Sequence, residues 1–120
     1  MADSILRDKS KAFAKEIVFL CRRLRDSRVE GVLINQLLKS GTSVGANVHE
    51  AQYAQGTKDF ISKFEIALKE CNESEYWLEL LYETNSISEN EFNKMQGACI
   101  ELRRMLVSTV TTIKSKQQPG

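Results

Sequence analysis

An all-α fold, an antiparallel up-down-up-down four-helix bundle, is predicted by three features of this sequence. The only proline, Pro119, lies beside the C-terminal glycine, so the rest of the chain lacks the commonest helix breaker. Apolar residues recur at spacings of three and four in four separate stretches. Short polar or glycine-containing links, DSRVEG, QGT and the segment leading into SENE, divide those stretches. With 120 residues, 42% of them hydrophobic, the chain can bury one modest core but not two. A single domain over 1–116 is therefore expected, followed by a polar tail at 117–120.

Each helix follows from its own pattern. In helix 1, roughly 4–26, Leu6, Phe13, Ile17, Leu20 and Leu24 keep one stripe, which Cys21 broadens. In helix 2, roughly 30–54, Leu33, Leu37, Val44, Val48 and Ala51 do the same. Helix 3 opens after Gln55-Gly56, with Thr57 as the expected N-cap. Its seam runs Phe60, Phe64, Ala67, Cys71, Ser74, Leu78 and Leu81 without a miss. Helix 4 is announced by the capping-box pattern Ser88-Glu89-Asn90-Glu91. It continues through Phe92, Met95, Cys99, Leu102, Leu106, Thr109 and Ile113 and ends near Lys116. Helices this long, joined by short links, pack most simply as antiparallel neighbours.

The stretch SGTSVGANVHEAQYA, residues 40–54, has the composition of a loop but keeps the helical register from Leu33 to Ala51. Two interior glycines cost a helix about 1 kcal/mol each relative to alanine, so a compensating contact is implied. Gly41 and Gly45, four apart on one face, suit a close approach to a neighbouring backbone. A phosphate-cradling loop would need a preceding strand and a Gly-Lys-Ser/Thr ending, and neither is present. Asn47 lies next to the apolar seam, where its amide could bond across helices and fix register; the spacing equally allows it to face solvent.

Catalytic constellations are missing. His49-Glu50 begins like H-E-x-x-H, but Tyr53 stands where the second histidine belongs, and one histidine cannot supply a ferritin-like pair of Glu-x-x-His motifs. Cys21, Cys71 and Cys99 fall on or beside the seams, which suits small buried residues better than nucleophiles, and their odd number and spacing suggest neither disulfides nor zinc. His49 is expected on the outer half of helix 2. No cofactor, metal or enzymatic activity is expected. No apolar run is long enough for a leader or a membrane span, so a cytoplasmic protein without membrane contact is expected.

SGTSVGANVHEAQ and KDFISKFEIALKECNESEYWL carry a family resemblance, matched over Ser40–Ala51 and Asp59–Leu78. The chain resembles the small bacterial four-helix-bundle proteins encoded in intervening sequences of large-subunit ribosomal RNA genes, sometimes labelled ribosomal proteins. The resemblance implies an antiparallel bundle assembled as a homo-oligomer, a ring of five. It also implies kinship with the accessory variability protein of diversity-generating retroelements, which partners a reverse transcriptase and binds nucleic acid through a basic surface. No biochemical activity is established for the rRNA-associated members.

Charge supplies the remaining clue. The net charge is only +1, but helix 1 and its exit carry Arg7, Lys9, Lys11, Lys15, Arg22, Arg23, Arg25 and Arg28, whereas helix 3 carries Glu65, Glu70, Glu73, Glu75, Glu79 and Glu83. Lys15, Arg22, Arg23, Arg25 and Arg28 are the expected contacts to RNA or DNA. Gly41, Gly45, Asn47 and Trp77 are the expected helix-packing or oligomer contacts, tryptophan being enriched at such interfaces. Pairing of these bases with acids on neighbouring helices would leave the run a merely solvated face. The functional expectation is a non-enzymatic oligomeric accessory protein that binds nucleic acid; the alternative is a scaffold that binds only protein. Large apolar residues outside the seams, Val18, Leu38, Ile61, Trp77, Leu80 and Val107, favour self-association.

Overall fold

The computed structural model describes residues 2–117 and consists of α1 (Ala2–Asp26), α2 (Gly31–Ala51), α3 (Thr57–Glu83) and α4 (Glu89–Gln117). The last three residues of the expected tail lie outside the described residues. Each helix contacts the next, and α4 returns to α1, closing an antiparallel bundle of 55 × 23 × 22 Å. The contact between α1 and α4 is the thinnest of the four.

The helix ends show why the chain turns where it does. After α1 the chain passes through Arg28 at φ +61°; Arg28 N–H donates to the Arg25 carbonyl and Val29 N–H to that of Leu24, a Schellman ending with Val29 packed on the core. Asn85, at φ +63°, ends α3 in the same way, with Ser86 N–H donating to the Leu81 carbonyl. Helix α2 stops at Ala51, three residues short of expectation. Gln52, Tyr53 and Ala54 each donate to the carbonyl three residues back, which tightens the final turn. The N-cap of α3 is Gly56 rather than Thr57, because the chain enters this helix at φ +143°, a conformation open to glycine and rarely to residues with a side chain. Asp59 Oδ2 accepts from the Gln55 N–H at 3.1 Å. The Ser88 capping box is present in full: Glu91 N–H donates to Ser88 Oγ and Ser88 N–H to Glu91 Oε1, both at 3.1 Å.

The core forms one cluster to which all four helices contribute. Every seam residue expected of helix 1 is buried. In α2 and α3, Ile34 and Ile61 are buried while Leu33 and Phe60 sit at the margin, so Ile61 is a core residue and not an oligomer contact. In α4 the buried residue near the C-terminus is Val110 rather than Thr109. A strict alternation of three and four has a period of 3.5, and an ordinary helix drifts off it by about 20° per heptad.

The residues of SGTSVGAN are helical and serve two neighbours at once. A Cβ on Gly41 would stand 2.7 Å from Ile17 Cγ1, and one on Gly45 would stand 3.1 Å from the Ser10 carbonyl oxygen. On the side facing α3, Ser74 Oγ donates to Ser40 Oγ at 3.0 Å, and Ser40 Oγ donates on to the Leu37 carbonyl at 3.3 Å. Both hydroxyls are fully buried and satisfied.

Gly45→Leu is expected to destabilise the protein by about 1–3 kcal/mol, since the obstructing atoms belong to the α1 backbone and cannot rotate away. Gly97→Ala should do the reverse. Nothing lies within 4 Å of a Cβ built at Gly97, and in a helix interior alanine is better than glycine by about 1 kcal/mol. Urea unfolding of both variants checks the pair.

Candidate nucleic-acid interface

Helix phase sorts the charges of α1 onto two long sides. Lys9, Glu16 and Arg23, seven apart, face α4, and each is paired: Lys9 with Glu101 at 3.2 Å, Glu16 with Lys94 at 3.3 Å, and Arg23 with Glu91. Arg7, Lys11, Lys15, Arg22 and Arg25, at spacings of four, four, seven and three, follow the side toward α2 and solvent. All five are exposed, and none forms an ion pair among the described residues. Arg25 Nη2 donates to the neutral Asn35 Oδ1 at 2.8 Å.

A groove of 620 Å³ lies between α1 and α2 along this side. Its floor is made of small residues, Ala14, Thr42, Gly45 and Ala46; its rim carries Arg7, Asp8, Lys11, His49, Gln52 and Tyr53. The floor is shallow in side chain because the helices meet so closely at Gly45. At the end of the groove Tyr53 leaves the last turn of α2 with its ring centroid 5.5 Å from that of His49, tilted by 58°.

Among the residues singled out in the sequence, Gly45 lines the groove, Gly41 is buried one turn away against Ile17, and Lys15, Arg22 and Arg25 are exposed on α1 outside the groove's lining. Arg23 stands on the other side of α1, engaged with Glu91. Arg28 is exposed at the left-handed residue that ends α1. Asn47 is half-buried, and its Nδ2 donates to the Ser43 carbonyl at 2.9 Å within its own helix. Trp77 is half-buried against the core with its ring edge on Tyr76, and its Nε1 is shielded without a partner. Among the described residues the acids of helix 3 do not pair with helix 1; Glu75 holds Arg103 and Glu65 holds Lys114 at 3.1 Å, both on α4. In the sequence Arg7 and Lys11 count in the basic run of helix 1 without being assigned to the interface, and Tyr53 has no expected binding role. The four-residue step from Arg7 through Lys11 to Lys15 is a visible signal for the first two, whereas Tyr53 falls in the last turn of the expected helix, where nothing in the pattern marks it out.

The three thiols are buried. Burial pushes Cys21 up to about 11 and Cys71 up to about 12, and raises Cys99 as well, so all three stay protonated at neutral pH.

A profile described as 23S rRNA-intervening sequence protein matches residues 2–108. The chain belongs to the 23S rRNA-intervening sequence protein family. A crystal structure described as a protein of unknown function from the S23 ribosomal protein family of Bacteroides thetaiotaomicron VPI-5482 is 44% identical to it. The match covers 92% of this chain and 99% of that one with a TM-score of 0.90. No curated protein matches. The likeness to the S23 structure supports the four-helix fold of this member of the family, and the family itself is one of unknown function. Among the described residues, no helix is long and apolar enough to cross a membrane.

Glu70 offers a pH test on the acidic side of the bundle. Burial, and then the neighbouring Glu73, raise its carboxyl above the ordinary range, only partly offset by Lys39 and Lys69. A carboxyl whose folded pKa is raised favours the fold when protonated, and that contribution is lost as pH rises through the folded value. Glu70→Gln should therefore raise the melting temperature at neutral pH. The advantage should shrink to nothing as pH falls below the unfolded carboxyl's range, as thermal scans across pH would record.

Proposed function

We propose that this protein is a non-enzymatic, oligomeric accessory protein that binds the phosphate backbone of RNA or DNA along the α1–α2 face. The observation that carries the reading is the division of α1: cations facing α4 are neutralised by carboxylates, whereas Arg7, Lys11, Lys15, Arg22 and Arg25, with Asp8 among them, are exposed on the other side and form no ion pair among the described residues. Unpaired cations in a row attract a polyanion, and binding releases the counterions condensed on it. Self-association is supported by the large apolar residues left exposed, among them Phe19, Val32, Ile66, Tyr76 and Val107. Five subunits is the number that the family resemblance implies. Each copy would repeat the basic face and convert weak single contacts into avid binding. The same exposed residues favour a second reading, in which the oligomer is a scaffold for a protein partner, such as a reverse transcriptase, and binds no nucleic acid.

Reversing Lys11, Lys15 and Arg22 together to glutamate should abolish binding of RNA and duplex DNA in low-salt gel shifts while leaving the circular dichroism and the light-scattering mass unchanged. For wild type, log affinity for duplex DNA should fall against log salt with a slope of about 0.9 per phosphate contact. Arg23→Gln should leave that slope alone, because Arg23 already engages Glu91. A wild-type protein that shifts no nucleic acid at low salt would leave the scaffold reading standing. A light-scattering mass near 13.6 kDa at micromolar concentration would remove the oligomer.

A further inference from the structure

We infer that the Tyr53 end of the α1–α2 groove is a stacking site for an unpaired base, so that the protein takes single-stranded nucleic acid in preference to duplex. This rests on the phosphate-binding reading above and adds a specificity to it. Tyr53 is 74% exposed, the most exposed large apolar side chain among the described residues. Its position is nevertheless defined: His49 braces the ring from one side, and the tightened last turn of α2 holds its backbone, with Tyr53 N–H on the Glu50 carbonyl at 3.0 Å. The rest of the ring is open to solvent.

The surroundings suit a nucleotide. The groove's 620 Å³ falls within the range of roughly 300–1,000 Å³ typical of small-ligand sites. The small residues of the floor let a flat ring lie close to the backbone. Arg7 and Lys11 stand on the rim beside the aromatic pair, where they would meet the flanking phosphates. Aromatic side chains set in a basic groove bind single strands with little regard to sequence, since every base presents a π-face. In a duplex the bases are already stacked and paired, and reaching Tyr53 would require unpairing one.

The test compares a short single-stranded RNA with the same strand annealed to its complement, at one salt concentration, on the full chain. Wild type is expected to bind the single strand more tightly. Tyr53→Ala should weaken single-strand binding by about 10-fold or more, leave duplex binding and both salt slopes unchanged, and be rescued by Tyr53→Phe. Equal weakening of both ligands by Tyr53→Ala, or none, overturns the inference. So does a change in light-scattering mass for Tyr53→Ala, which would make the ring a subunit contact. If Tyr53→Ala has no effect while the Lys11, Lys15 and Arg22 reversal abolishes binding, only the stacking site falls. If wild type binds neither ligand, the phosphate reading falls with it.

Discussion

The close approach of α1 to α2 at Gly41 and Gly45 is the constraint on which the rest of this structure depends. The α2 side of the contact is made small, and α1 fills the room with the Ile17 side chain at Gly41. Glycine offers α1 no side chain, and α1 answers at one point with the backbone of Ser10, whose own hydroxyl turns back to donate to the Arg7 carbonyl at 3.0 Å. The helical cost of each glycine, about 1 kcal/mol, is offset by burial on the same helix, where Ile34, Leu37, Val44 and Val48 are fully enclosed. With two helices this close, Ala14, Thr42 and Ala46 cannot fill the space outside them. The groove and the tight contact therefore have one cause.

The same constraint explains why α1 carries two kinds of charge. Toward α4, where packing is thinner, long side chains reach across and Lys9, Glu16 and Arg23 find partners. Those pairs are solvent-exposed, so each contributes only about 0–1 kcal/mol, and their chief effect is to neutralise that side. Toward α2, the positions opposite the cations hold Thr42, Gly45, Ala46 and His49. None is acidic, and among the described residues Asp8, on α1 itself, is the acid on the groove's rim beside Arg7 and Lys11. A helix that had to be small for packing thus leaves its neighbour's cations available.

How much of this was legible in the sequence depended on the kind of signal. The seams of α1 and α3 could be read almost residue by residue, because a buried stripe repeats and errors average out. The Ser88 capping box was equally plain, since its chemistry lies within four residues. The start of α3 was misassigned because a glycine at φ +143° leaves no trace in composition beyond the glycine itself. The glycines of SGTSVGAN announced a close contact but not its partners. That Gly41 meets Ile17 while Gly45 meets Ser10 is set by the crossing of two helices, which no single-chain pattern encodes. For the candidate site the type of residue was legible and the grouping was not. Arg22 and Arg23 are neighbours in the chain but point about 100° apart around α1, one without an ion pair among the described residues and the other held by Glu91.

That separation bears on what kind of recognition this surface can support. A row of exposed lysines and arginines reads phosphate, which every nucleic acid shares, so charge by itself confers affinity and salt dependence without discrimination. The buried polar groups are committed to the fold: Ser40 bonds to Ser74, Ser10 to its own helix, and the thiols are held protonated in the core. Under the proposed reading, selectivity between nucleic acids would come from the aromatic end of the groove, where the chain leaves α2. There the geometry differs from the rest of the face, because the helix ends, the backbone tightens and aromatic rings join the cations. On that reading the end of α2, set by three short-range backbone hydrogen bonds at residues 52–54, is where a change in local structure would alter selectivity without altering affinity for phosphate.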